Sequence, residues 1–102
     1  MPVPTNQQIE RHIRRSAGDS ANVALTKHAK VRMRQRDINY SMVLDVLRLG
    51  RLALAPEPDM KHSGLLCRMQ RFVAGMQVAV VAYVEYPAPD LTVVTVIDIT
   101  RD

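Results

Sequence analysis

Residues 78–84, VAVVAYV, are an unbroken apolar run, and they constrain the fold more than any other stretch of the chain. The run is the length of a strand and far short of the roughly 20 residues that cross a bilayer as a helix. It offers apolar side chains to both sides of a strand at once, which predicts a central strand with neighbours on either hand. Turn signals bracket it: Ala74-Gly75 on one side and Pro87-Ala88-Pro89-Asp90 on the other. The spacing therefore predicts three consecutive strands, over residues 65–73, 76–86 and 91–100. Strict alternation in the last strand would set Leu91, Val93, Thr95, Ile97 and Ile99 on one face and Thr92, Val94, Val96 and Asp98 on the other.

The first half reads differently. Residues 1–4 form a loose end, and Thr5 or Asn6 caps a helix that runs to about Ser16. Only Ile9 and Ile13 give that helix an apolar edge, so it is expected to be peripheral. Ala17-Gly18-Asp19-Ser20 breaks it, and residues 22–25 are a short extended lead-in. Thr26 suits the N-cap of a helix over 27–36. Ser41 is the expected cap of a further helix through Leu49, with Val43, Leu44, Val46 and Leu47 as its apolar face. Gly50 is expected to stop it in a left-handed conformation. Residues 51–55 suit a further strand and 56–59 a loop. Helices followed by an antiparallel meander make an α+β fold, here one domain over 1–102, with a peripheral helix in 1–21.

Charge is unevenly spread. Residues 1–51 carry ten Lys/Arg against four Asp/Glu, a balance of +6; residues 52–102 carry four against six, a balance of −2. A basic helical half predicts a polyanion or an acidic protein as partner. With no Trp and one Phe, a broad aromatic platform for single-stranded bases is not expected. Cys67 stands alone, so no internal disulfide forms, which fits a reducing cytoplasm. No apolar leader is visible at the N-terminus, and no membrane partner is expected. His12, His28, His62 and Cys67 lack the spacing of metal ligands, and isolated glycines make no phosphate loop. No metal or cofactor is expected.

Within the basic half, His28, Arg32 and Arg36 recur every fourth residue. Four residues bring a helix back to within about 40° of its starting direction, so these three share a stripe. Ala29 and Met33 follow one residue behind, which places the charged stripe beside the buried one. The stripe combines a group that exchanges a proton near neutral pH with two guanidiniums shaped to hold phosphate.

His28-Ala29, Arg32-Met33, Arg36-Asp37-Ile38, the capped helix ending at Gly50 and the three later strands resemble a family of small bacterial proteins, a domain of unknown function numbered 4258. That family is grouped with RelE-like and BrnT-like toxins, and the resemblance spans roughly residues 25–99. It implies two or three helices packed on a curved antiparallel sheet of three to four strands, a RelE-like core over 22–100. It also implies a toxin-type ribonuclease that cleaves RNA without a metal, with an acidic antitoxin-like protein as a further partner. His28, Arg32 and Arg36 carry over as motif positions. Asp37 stands where the family often has Gly.

Such cleavage needs a group to take the 2′-hydroxyl proton, donors for the charged phosphorane, and an acid for the leaving 5′-oxygen. His28 suits the first or last task, and Arg32, Arg36 and Arg68 the second. Thr95, or Tyr83, would supply a hydroxyl donor. Lys27, Lys30, Arg34 and Arg71 are expected to bind the RNA backbone. The alternative is an RNA- or protein-binding module of the same fold without catalysis. In that reading His28 fixes a loop, the arginines are a solvated face, and Cys67 is a buried small hydrophobe.

Overall fold

The sheet is the frame on which every other element is placed. In the computed structural model, which describes residues 3–100, six strands form one open mixed sheet. They are β1 (Val23–Leu25), β2 (Arg51–Leu52), β3 (Glu57–Pro58), β4 (Leu65–Val73), β5 (Met76–Val84) and β6 (Leu91–Asp98). The order is β1-β6-β5-β4-β2, with β3 also paired to β4. The apolar run of residues 78–84 lies in β5, between its two long neighbours, as its two apolar faces require. Ala74 and Gly75 make the β4–β5 turn with positive φ of 50° and 80°.

The expected three- to four-stranded antiparallel sheet is thus larger and mixed. The lead-in pairs parallel to β6, Val23 opposite Leu91 and Leu25 opposite Val93. The expected strand over 51–55 is only Arg51–Leu52, and the expected loop holds β3, whose Glu57 sits opposite Leu66. The sequence's loose end at residues 1–4 falls partly outside the described residues.

Three helices cover one face of the sheet: α1 (Asn6–Ser16), α2 (Lys27–Gln35) and α3 (Tyr40–Leu49). α2 packs on β6, α3 on β4 and β5, and α1 on α3 and β2. The core between them and the sheet takes Cys67 and Met69 from β4, Val78, Val80, Ala82 and Val84 from β5, and Leu91, Val93 and Val96 from β6. A β-bulge at Val94 sets the last of these. Val81 faces Thr95 while Ala82 faces Val93, so Val94 is the extra residue. Strict alternation across β6 therefore fails: Val96 and Asp98 join the core face, and Thr95 and Ile97 turn to the open one.

α1 is not peripheral. Ile9, Ile13 and Ala17 are buried in the common core. Thr5 closes a capping box with Gln8. Arg14 donates to the Gly50 carbonyl at 2.7 and 2.9 Å, Arg48 to the Ala17 carbonyl at 2.6 Å, and Glu10 accepts from the Leu52 amide at 2.8 Å. Ile9 and Ile13, with Ala17 at the C-cap, are enough because polar side chains close the backbone ends around them.

Two caps differ from expectation. Asn39, not Ser41, caps α3 by accepting from the Met42 amide. Gly50 is extended (φ −76°, ψ −178°) rather than left-handed. Glycine is needed there for space: a Cβ would stand 2.4 Å from the Val46 oxygen and 2.7 Å from the Gln70 oxygen, both backbone atoms. Asp37 ends α2 with φ 55°, a conformation in which Gly, Asn or Asp is favoured.

Thr26 joins three elements. Its amide donates to the Val93 carbonyl at 3.0 Å, its hydroxyl donates to the carbonyl of the bulged Val94 at 3.0 Å, and the same oxygen accepts from the Ala29 amide. Thr26→Val keeps the shape and removes both hydroxyl bonds. We expect it to lower unfolding free energy by about 1–2 kcal/mol in urea titration, with Thr26→Ser recovering most of the loss; unchanged stability would contradict the role given to Thr26.

Candidate nucleic-acid interface

The α2 surface is basic because its sequence contains nothing acidic. Residues 27–36 hold five Lys/Arg, one His and no Asp or Glu. Lys27 lies in the first turn, where the helix dipole disfavours a cation, and no acid within residues 27–36 offsets it. Ala29 and Met33 are buried and fix which way the helix is turned. The two flanks of that buried stripe then follow from a 100° step per residue. His28, Arg32 and Arg36 line one flank, and Lys30 and Arg34 the other.

The two flanks differ in exposure. Lys27, His28, Lys30 and Arg34 are exposed. Arg32 and Arg36 are half-buried, their Nε atoms shut off from solvent. Both arginines, and the buried Asp98 on the helix-facing side of β6, engage polar or electrostatic partners. Thus Arg32 and Arg36 are anchored, while His28 is free to meet a ligand. On the Lys30 side the surface opens into a concavity of about 710 Å³, lined by Met33, Ile38 and Asn39 as well as Lys30, Arg34 and Asp37.

The sheet candidates lie elsewhere. Arg68 and Thr95 both sit opposite Val81, so they share one cross-strand row, on the face turned away from the helices. With the Gln70 amide oriented oxygen-first, that oxygen accepts from Arg68 Nε at 3.0 Å and Nη2 at 3.2 Å. Arg71 points to the helical side, where its Nε donates to Asp45 Oδ2 of α3 at 3.1 Å. Both partners are 39% exposed, so this pair adds little stability but balances the Arg71 charge. The candidate residues therefore fall onto the two flanks of α2, a row on the open sheet face, and a pair at the α3–β4 seam.

One arrangement had no signal in the sequence spacing. His62 Nδ1 lies 2.7 Å from Asp59 Oδ2 in the loop between β3 and β4, and its ring meets Tyr83 edge-on at 5.7 Å. Tyr83 Oη donates to Glu85 at 2.9 Å and accepts from the Gly64 amide at 3.0 Å. Burial and the Glu85 hydrogen bond raise the Tyr83 pKa. An imidazole oriented by a carboxylate is a usable general base. An Asp-x-x-His sequence alone is too common to have pointed to it. The His62 hydrogen bond holds the Asp59 carboxyl below its ordinary range. Such a group favours the fold above the ordinary carboxylate pKa and loses that contribution as pH falls through its lowered value. We expect His62→Ala to raise the Asp59 pKa in a carboxyl NMR titration; an unmoved value would contradict the pairing.

Cys67 is buried, and burial pushes its thiol up to about 11 from an ordinary 9.0. It is a packing residue and stays protonated near neutrality. A raised pKa favours the fold fully below pH 9 and less as pH climbs toward 11. The stability advantage of wild type over Cys67→Ala should therefore shrink by about 2 kcal/mol across that range in urea titrations; a constant advantage would contradict it.

Among the described residues, no group of three or more His, Cys, Asp or Glu side chains is placed to hold a metal, and no helix is long and apolar enough to cross a membrane. No curated protein and no solved structure matches the chain. Residues 25–98 match the family model described as a domain of unknown function, DUF4258. The matched stretch begins at the end of β1 and closes with β6, taking in α2, α3 and all the long strands. Covering well over half of the sequence, it makes this chain a member of the DUF4258 family.

Proposed function

We propose that this protein acts on RNA as a toxin-type endoribonuclease related to the RelE-like and BrnT-like proteins, with α2 as the element that meets the phosphate backbone. The observation that carries the reading is the exposed His28 at the start of a helix whose residues 27–36 include no acid. Lys27, Lys30 and Arg34 draw in the backbone. His28 takes the 2′-hydroxyl proton, the 2′-oxygen attacks phosphorus, and the bond to the 5′-oxygen breaks, the leaving oxygen taking its proton from water. Arg32 and Arg36, held in place by their packing, present their outer N–H groups to the phosphorane oxygens. An acidic antitoxin-like protein would occupy the same surface by matching its charge.

A second reading, RNA or protein binding without cleavage, is favoured by the position of Arg68 and Thr95 on the sheet face away from α2. With those two outside the site, the phosphorane loses two of the donors expected for it.

The test is cleavage of an end-labelled RNA pool in EDTA by wild type, His28→Ala and His62→Ala. General acid–base groups are worth about 10²- to 10⁴-fold, so His28→Ala should lose at least about a hundredfold, with wild type leaving 2′,3′-cyclic phosphate ends and His62→Ala retaining activity. Loss in His62→Ala alone would move the chemistry to the open sheet face. No cleavage by folded wild type, with RNA binding that weakens steeply with salt, would select the binding module.

A further inference from the structure

A second basic concavity lies at the other end of the helical layer, between α1 and the turn joining β5 to β6. It has a volume of about 320 Å³ and is lined by Gln8, Arg11, His12, Arg15, Tyr86 and Pro87. That volume is at the lower end of the roughly 300–1,000 Å³ of small-molecule sites. Among the described residues, no carboxylate lines it. Arg11 and Arg15 are exposed, one helical turn apart, and take no intramolecular partner among the described residues. Like charges at that spacing repel, and an anion between them would relieve the repulsion.

The wall opposite is built in advance. His12 Nε2 donates to the Ala88 carbonyl at 2.8 Å, tying α1 to the turn. That bond commits the Nε2 proton and leaves Nδ1 as the other ring position. Tyr86 meets the His12 ring edge-to-face at 5.0 Å and remains 41% exposed. Two guanidiniums beside an exposed aromatic ring match a phosphate joined to a planar base.

We propose that this concavity is a nucleotide subsite, with the phosphate of a nucleoside monophosphate unit on Arg11 and Arg15 and its base against Tyr86. The unit is either a free nucleotide or one residue of an RNA strand; only the second source rests on the RNA reading above. The α1 side of the subsite lies outside residues 25–98, the stretch matched to the family, so this site combines a part of the chain beyond that stretch with a turn inside it.

The experiment is calorimetric titration of the full chain with adenosine 5′-monophosphate and, separately, with a short oligoadenylate. The variants are Arg11→Ala/Arg15→Ala, Tyr86→Leu and, on α2, Lys30→Ala/Arg34→Ala, each checked for an unchanged thermal midpoint. Mononucleotide affinity should fall at least tenfold in the Arg11/Arg15 variant and at least about fivefold in Tyr86→Leu. Failure of wild type to bind the mononucleotide, or equal binding by the Arg11/Arg15 variant, overturns the subsite. Oligoadenylate bound through α2 but indifferent to Arg11 and Arg15 overturns the subsite and leaves the RNA reading standing. Mononucleotide bound here with no oligoadenylate binding supports the subsite, identifies its ligand as a free nucleotide, and removes the RNA reading.

Discussion

The structure depends on how one threonine hangs α2 from the sheet. Thr26 follows β1, caps α2 and donates to the carbonyl of the residue that bulges in β6. β1 is only three residues long and could not place a helix by itself. Because β1 runs parallel to β6, α2 begins at the point where that pairing stops and must turn back over the sheet. The helix then has no freedom of rotation, since Ala29 and Met33 are drawn into the core. The positions of His28, Arg32 and Arg36 follow from that placement.

The same placement explains why charge is sorted as it is. Half-buried cations next to an apolar stripe need partners, and Arg32 and Arg36 have them. The cations further from the stripe are left to solvent and to whatever anion approaches. Removing acids from α2 costs helix stability in its first turn, a cost without structural return. The open face of the sheet forms a separate surface, with Arg68 and Thr95 in one row and the His62–Asp59 pair in the β3–β4 loop. Basic and histidine-bearing surfaces thus lie on opposite sides of one sheet.

Much of this was legible in the sequence because the signals were local. The two-sided apolar run at residues 78–84 placed β5, Ala74-Gly75 placed its turn, and Thr26 placed the start of α2. The matches failed where a distant partner decided. β1 and β3 are too short to have a pattern and exist only through β6 and β4. The bulge at Val94 reversed the facing of Thr95 and Val96, since alternation cannot register one extra residue. The small apolar edge of α1 understated its burial because Arg14, Arg48 and Glu10 hold it through bonds to backbone more than thirty residues away. Gly50 ends its helix through a close approach to Val46 and Gln70, which depends on a strand distant in sequence, and not through the left-handed turn that its position suggests. The α2 stripe was legible as a stripe; that Arg68 and Thr95 stand across the sheet from it was not.

The proposal that α2 receives RNA can be checked by amide NMR spectra of the labelled protein, recorded as a short single-stranded RNA is added at low salt. The largest shifts should fall on residues 27–36 and on the neighbouring Asp37 to Asn39, and should reverse as salt is raised. Shifts confined to β4–β6 residues of the open face, or no shifts at all, would contradict it.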